Sequence, residues 1–433
     1  MSRPAAPIPV LSPPLATGRV RVAFSGGLDS TVLLHRLAHD PVARRHGLDA
    51  IHVHHGLHAD ADAWAAHCKA LCATLDVPLQ IRRVHVDTTR GEGVEAAARR
   101  ARHAAFSDVM RAGDILALAH HRDDQAETFL LRALRASGPD GLAAMRPWRA
   151  FGAGWAWRPL LDVPRSALEA YARAASLAWI EDPSNAGTAF DRNFLRHEVL
   201  PLLRQRWPQA DAAFARSAAL SAEAADLLSR QDRELLALAA TLDPAALAVA
   251  PLRHASAASR ARALRCWIDG LRLPPLPAEG VARIDEDLLD ARADAQAEFA
   301  WQGAVVRRWR GLLHAERLRL ALPDDWQADW DGTAPFQLPD GGVLALQDEG
   351  EPFETPLRLT ARRGGERIAL PGRPHRHALK DVLQSLGVPP WERRQLPLLW
   401  RGDALWAAGD LVLSADCDAW LRARGTRLTW RRG

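Results

Sequence analysis

Between residue 18 and about residue 120 the hydrophobic positions alternate between two spacings. Val20, Val22 and Phe24 recur every second residue, as on a half-buried strand, and the run stops at the pair Gly26-Gly27. Val32, Leu33, Leu34 and Leu37 then follow helical spacing, so the pattern predicts strand, tight turn and helix. The same reading predicts a second strand ending in His52-Val53-His54-His55. After it comes a helix over 60–75 with Trp64, Cys68, Leu71, Cys72 and Leu75 on one side. A strand over 79–86, a helix over 93–112, a buried strand over 115–119 and a helix over about 165–176 complete this part. Strands alternating with helices imply a doubly wound α/β fold, a mainly parallel sheet covered on both faces. Ligands of such sheets sit beyond the carboxyl ends of the strands, which singles out each strand-to-helix junction.

The rhythm changes after residue 210. Residues 212–240 read as one long alanine-rich helix and a second lies around 256–270, before Pro274, Pro275 and Pro277 break the run. Residues 280–322 add a further helix and the strand-like Ala304–Trp309. Beyond Pro323 the chain is strand-like, with turns at Gly341-Gly342 and Gly364-Gly365 and a helix over 379–386. The expected organisation is a Pro/Ala-rich disordered leader (1–17), the α/β domain (18–210), a mainly helical domain (211–325) and a small α+β domain (326–433).

Composition narrows the class. The 433 residues are 48% hydrophobic and 25% charged, typical of a soluble globular protein, and no stretch approaches a signal peptide or a membrane span. Four scattered cysteines form no C-x-x-C pair, which argues against a zinc ribbon or a dithiol redox site and fits a reduced, cytoplasmic protein. Only Lys69 and Lys380 are lysines, so 54 of the 56 basic residues are arginine. Biased genome composition explains most of that, though arginine also suits bidentate phosphate contacts.

Candidate chemistry gathers at the junctions. Ser25, Gly26 and Gly27 let backbone N–H groups approach an anion with no Cβ in the way, and Leu28, Asp29 and Ser30 open a helix whose N-terminus favours phosphate. Asp29 would repel that phosphate unless Mg²⁺ lay between them. The absence of Gly-Lys-Ser/Thr excludes a Walker A loop. At the second junction His52 and His54 lack an acidic or thiolate co-ligand at a convincing spacing, which favours a nucleotide contact over a metal site. Arg99 and Arg102 share a helix face with Glu95. That face is either solvated or reaches towards phosphates. Asp124 and Glu127 fall three apart in a helix first turn, where they complement the dipole or cradle an ammonium group or Mg²⁺. Farther on, Arg192 and Arg196 follow a turn-rich loop around Pro183 and Gly187 whose mobility would let them act only when substrate is bound. Arg362, Arg363, Arg367, Arg373, Arg376 and Lys380 crowd against one acid, Glu366, as a solvated face or a phosphate-backbone site.

Ser-Gly-Gly-Leu-Asp-Ser after a strand resembles the PP-loop of N-type ATP pyrophosphatases. The later motifs narrow the resemblance: His-Val-His-His-Gly, Glu-Ala-x-Ala-Arg-x-x-Arg, His-x-Asp-Asp-Gln-x-Glu-Thr, Glu-Asp-x-Ser-Asn and Asp-Arg-Asn-x-x-Arg. In this order they resemble the tRNA(Ile)-lysidine synthetase family from about residue 18 to the C-terminus, most closely through residue 207. His103 departs from it, standing where the family usually has tyrosine.

The resemblance implies ATP-dependent ligation of L-lysine to C2 of the wobble cytidine of tRNA(Ile) with a CAU anticodon. An adenylated cytidine is the intermediate, AMP and pyrophosphate are released, and codon reading changes from AUG to AUA. Residues 25–30 with His52 and His54 would bind ATP, Asp29 would meet Mg²⁺ through pyrophosphate, and Asp124 and Glu127 would hold lysine. Arg99 or Arg102, then Arg192 or Arg196, would face the α-phosphate, and the basic cluster would bind tRNA, with the helical domain also touching it. A lysine side-chain amine is neutral in only about one molecule in a few thousand at pH 7. Carboxylates around it would lower that fraction. The acid pair therefore holds the α-ammonium or accepts a proton as attack proceeds, and both options stay open. A tRNA thiolase would need cysteine pairs or a cluster site, an amidotransferase an activated cysteine, and a pure tRNA-binding module would not need Asp29. Monomer and homodimer also stay open.

Overall fold

The structure is a computed structural model that describes residues 18–89, 93–183, 187–188, 190–290, 297–347 and 353–432. The leader expected over 1–17 and Ser184 and Asn185 of the Glu-Asp-x-Ser-Asn motif lie outside the described residues. The chain divides into two compact units after Arg230.

In the first unit β1 (Val20–Ala23) leads through the glycine turn into α1 (Leu28–Ala38), followed by α2 (Pro41–Arg45) and β2 (Leu48–His54). Then come α3 (Ala61–Thr74), β3 (Leu79–Arg83), α4 (Val94–Val109), β4 (Ile115–Ala117), α5 (Arg122–Ala133) and α6 (Pro139–Leu142). The hairpin β5 (Trp148–Phe151) and β6 (Gly154–Trp157) precedes α7 (Arg165–Ala174), α8 (Asp191–Phe194), α9 (Leu200–Arg206) and α10 (Ala210–Ala239), whose last turns lie beyond Arg230. Among the described residues the sheet order is β3-β2-β1-β4-β6-β5, parallel except for the last pair. The strand expected over 79–86 ends at Arg83, although Val84 N–H still donates to the His54 carbonyl at 3.0 Å.

Period-two alternation accounts for the layers. Val20 and Val22 of β1, Leu48 and Ala50 of β2, and Ile115 and Ala117 of β4 pack with the α1 side chains Val32, Leu33, Leu34 and Leu37 and with Leu168 of α7. The intervening Ile51, Val53 and Leu116 face the other way and meet Ala105, Phe106 and Met110 around α4. β1 lies between β2 and β4, so the connections leave it in opposite directions. That is a topological switch point, with a crevice beyond the ends of β1 and β4.

The second unit holds more strand than its alanine-rich pattern predicts. Ala246–Ala248, Leu312–Arg317, Ala304–Trp309 and Glu298–Trp301 form a four-stranded antiparallel sheet beside the helices Ala257–Gly270 and Ala278–Arg283. Its outer strands, Ala246–Ala248 and Glu298–Trp301, are short, and Glu298 on one of them and Glu316 and Arg317 on the inner Leu312–Arg317 hide the alternation. Farther on, Gln327–Trp330, Leu357–Thr360, Leu398–Arg401, Ala404–Ala408, Arg367–Ala369 and Arg376–Ala378 lie in that order in a mixed sheet, and Val412–Leu413 pairs with the fourth. Leu379–Ser385 and Ala415–Arg424 pack on it as helices, the α+β layout expected of this segment.

Candidate active site

The glycine turn lies at the carboxyl end of β1. Gly26 has φ +85°, and a Cβ there would come within 2.5 Å of Ile180 Cδ1 and 2.9 Å of Cys68 Sγ. Ile180 N–H donates to the Gly26 carbonyl at 2.9 Å, so the segment after α7 is pinned to the turn. Ser25 and Ser30 stand with hydroxyls 3.0 Å apart, and Ser30 Oγ also donates to the Gly27 carbonyl at 3.0 Å. Gly27 precedes α1 without a side-chain cap, so the first-turn amides of Leu28, Asp29 and Ser30 are presented at the helix N-terminus. The loop is thus built as an anion cradle before any anion arrives.

His52 and His54 are buried beneath this end of the sheet. His52 Nδ1 lies 2.9 Å from the Phe24 carbonyl and 3.5 Å from Cys68 Sγ, and burial holds its pKa below the ordinary value. His54 Nε2 lies 3.2 Å from Asp62 Oδ1. Both imidazoles therefore shape the strand end through protein contacts, and the described residues include no cluster of three or more His, Cys, Asp or Glu fit for a metal.

The fourth junction is a network of charges. His121 caps α5: its Nδ1 lies 3.4 Å from Asp124 N, and its own N–H donates to Asp124 Oδ2 at 3.0 Å. His121 Nε2 sits 3.6 Å from Asp29 Oδ2 and 3.4 Å from Asp124 Oδ2, linking the glycine loop to the acid pair. Burial disfavours the charged imidazole, but Asp124, Asp29 and Asp123 outweigh it and raise the His121 pKa. Asp29 Oδ1 is buried and has no hydrogen-bond partner among the described residues.

Asp124 and Glu127 are both buried, and both are gripped by Arg192 and Arg196. Arg192 Nε donates to Glu127 at 2.7 Å and its terminal nitrogen to Asp124 at 2.9 Å. Arg196 Nε donates to Glu127 at 2.6 Å, and its terminal nitrogen reaches Asp124 and Glu127 at 3.0 Å each. The two arginines lie four apart across α8 and the π-helical turn Leu195–Val199 that joins it to α9. Burial would raise the Asp124 pKa, but His121 and Arg192 hold it down at about 2.

A consequence for stability follows from that shift. Because the folded pKa lies below the unfolded one, Asp124 stabilises the fold above pH 4 and loses that contribution as pH falls through about 2. The contribution is about 2 kcal/mol. Urea unfolding followed from pH 5 down to pH 2 should show this loss, and Asp124→Asn should remove it.

Behind the acid pair is a cavity of about 260 Å³ lined by Asp123, Glu127, Arg165, Arg196, His197 and Arg204. Arg204 donates to Asp123 at 3.0 Å and to Asp211 at 2.6 and 2.9 Å. Arg158 is buried and donates to His120 Nδ1 at 3.2 Å; burial pushes His120 down to about 3, so it accepts as a neutral ring. Arg99 and Arg102 are exposed on α4, and the charge of Arg102 acts on His55 and His120. His103 packs edge-on against Phe151 at 5.1 Å.

The sequence singled out Asp29, Asp124, Glu127, Arg192 and Arg196, and the structure brings these five together. It did not single out His121, Arg158, Arg204 or the cavity. The signal for His121 was its place three residues before Asp124, a capping-box spacing with histidine in the usual Ser/Thr position.

In the second unit, Arg363, Arg367, Arg373, Arg376 and Lys380 are exposed around the hairpin Arg367–Ala369 with Arg376–Ala378. Glu366 is turned inward. It accepts from the backbone N–H groups of Arg363 at 2.8 Å and Gly364 at 2.6 Å and faces Arg362 at 3.4 Å, so the one acid of the cluster does not offset its surface charge.

A glycine loop at a switch point, opening a helix beside buried carboxylates, defines an α/β nucleotide-binding domain of the PP-loop class, and residues 8–203 match the PP-loop domain family. Residues 247–314 match the TilS substrate binding domain and residues 357–430 the TilS substrate C-terminal domain. The chain is 57% identical to a tRNA(Ile)-lysidine synthase of Xanthomonas axonopodis pv. citri over 97% of its own length and 96% of the relative's. It is 44% identical to that of Pseudomonas aeruginosa over 97% and 95%. It therefore belongs to the tRNA(Ile)-lysidine synthase family. Among solved structures, it is similar to the U34-tRNA thiolase NcsA of Methanococcus maripaludis at 16% identity and a TM-score of 0.40, over 48% of this chain and 72% of that one.

Proposed function

We propose how this site performs the family's reaction, ATP-dependent formation of lysidine on tRNA(Ile). O2 of the wobble cytidine attacks the α-phosphorus of ATP, the bond to pyrophosphate breaks, and the base is left adenylated. The side-chain amine of L-lysine then attacks C2, loses a proton, and AMP departs with the oxygen. Residues 25–30 hold the pyrophosphate portion at the helix N-terminus, over the strand end shaped by His52 and His54. Asp29, with its partnerless buried oxygen, would hold Mg²⁺, which would supply charge neutralisation for the departing pyrophosphate.

The observation that carries this reading is the four-membered cluster of Asp124, Glu127, Arg192 and Arg196. Two carboxylates and two guanidiniums neutralise one another. When ATP phosphates draw Arg192 and Arg196 to the α-phosphate, Asp124 and Glu127 are released for lysine, and the adjoining cavity is large enough for an amino acid. Arg99 and Arg102 offer further cations from α4. The exposed Arg363, Arg367, Arg373, Arg376 and Lys380 take tRNA phosphates, with Arg362, paired to Glu366, behind them. No helix among the described residues is long and apolar enough to cross a membrane; action on tRNA is what places the protein in the cytoplasm in this reading. Sedimentation would separate monomer from homodimer.

The test is AMP release and labelled-lysine incorporation with and without tRNA(Ile) bearing an unmodified wobble cytidine. Both should require that tRNA, and Asp29→Asn should abolish both while tRNA still binds. AMP release without lysine incorporation would point to thiolase-type chemistry, and tRNA binding without turnover to a binding module. For the basic cluster, Arg373→Ala with Arg376→Ala should weaken tRNA binding and reduce the slope of log affinity against log salt by about one to two. An unchanged slope would remove those residues from the interface.

A further inference from the structure

The segment that supplies Arg192 and Arg196 also leaves aromatic rings in solvent. Among the described residues four large aromatic side chains stand clearly exposed: Trp155 at 42%, Phe190 at 50%, Phe194 at 49% and Trp207 at 60%. Three of these lie within residues 190–207. Phe194 N–H donates to the Phe190 carbonyl at 2.9 Å, so the two phenylalanines sit one helical turn apart on one face. At about 100° per residue, Arg192 and Arg196 project from the opposite face, where they reach the buried acids.

An exposed phenylalanine pair is costly to keep on a surface with no partner, and exposed arginine lies along the same segment. Within residues 190–207 Arg192, Arg196 and Arg204 are held by carboxylates, while Arg206 stands exposed beside Trp207. Flat rings interleaved with arginine are the chemistry that binds unpaired nucleotides, rings stacking on bases and guanidiniums meeting phosphates. We propose that Phe190 and Phe194 form a stacking platform for an unpaired base of the tRNA anticodon loop, next to the cytidine that reacts. This rests on the lysidine reading and assigns part of its substrate recognition. Stacking is sequence-tolerant, so the platform positions the loop while contacts at the target base select it.

The experiment compares the full chain with the double variant Phe190→Leu, Phe194→Leu, which keeps apolar bulk but removes the ring faces. Binding of a fluorescent anticodon stem-loop RNA and the KM values for tRNA(Ile), ATP and lysine are the readouts. RNA affinity should fall about tenfold to a hundredfold and the KM for tRNA should rise in parallel. The KM values for ATP and lysine should stay unchanged, and Phe190→Tyr with Phe194→Tyr should restore RNA binding. Unchanged RNA affinity overturns the proposal, and so does a rise confined to the KM for ATP, which would assign the rings to adenine. If the wild-type chain binds the RNA through these rings but forms no lysidine, the lysidine reading fails while the platform stands.

Discussion

Glu127→Gln is expected to lower lysidine formation by about 10²- to 10³-fold, the loss typical of removing one preorganised charged partner from a reacting centre. Glu127 is fully buried and takes bonds from both Arg192 and Arg196. Glutamine keeps the shape and one acceptor oxygen but leaves the arginines with one carboxylate between them. Breaking a buried pair costs 3–5 kcal/mol. Arg192 and Arg196 are 30% and 25% exposed, so water screens them and about 1–2 kcal/mol is the expected loss of stability here. Single-turnover assays separate the two steps: base adenylation without lysine should suffer less than transfer of lysine to the adenylated tRNA. A variant within threefold of wild type in both steps would remove Glu127 from the chemistry.

Gly26→Ala should weaken ATP binding at least tenfold. A left-handed backbone costs a non-glycine residue about 1–2 kcal/mol, and the new Cβ would collide with Ile180 and Cys68. The turn can relieve this only by moving away from the α3 and Ile180 contacts that shape it. Gly27 is the control. Its φ is −74°, and a Cβ there would meet only Ser25 Oγ at 3.5 Å and the Ile180 carbonyl at 3.8 Å. Gly27→Ala should therefore keep the melting temperature of wild type, and any loss of ATP affinity in it measures how closely phosphate approaches that backbone. Calorimetric ATP binding with thermal melts of both variants decides the matter. Equal behaviour of the two would refute strain as the cause.

Local chemistry was legible in the sequence where it is carried by neighbours. The alternation of Val20, Val22 and Phe24, the glycine pair and the apolar helix predict the observed strand, turn and α1. The long helix expected over 212–240 is found at Ala210–Ala239, and the strand-like Ala304–Trp309 is a strand. What stayed hidden is pairing at a distance. The spacing of Asp124 with Glu127 and of Arg192 with Arg196 marks each pair as sharing a face, but no pattern within either segment says that the faces meet. A carboxylate pair suited to an ammonium ion is equally suited to two guanidiniums. His121 escaped notice because capping is expected of Ser, Thr, Asp or Asn, whereas here an imidazole nitrogen stands 3.4 Å from the Asp124 N–H in that place. The antiparallel strands around Ala304–Trp309 were masked because ion pairs such as Arg307 with Glu298 and Glu316 occupy positions where alternation would show apolar residues.

The pinning of Ile180 to Gly26 bears on how the chain is made. β1 leaves the ribosome first, yet it lies in the middle of its sheet and needs β2 on one side and β4 on the other. Its glycine turn then needs Ile180, and the acids of α5 need arginines that are translated later still. Local helices form during synthesis, whereas pairings this far apart in sequence wait for the slow, non-local closure of the whole unit. A nascent chain that has not yet reached about residue 200 thus lacks the partners of its glycine turn and of the α5 acids.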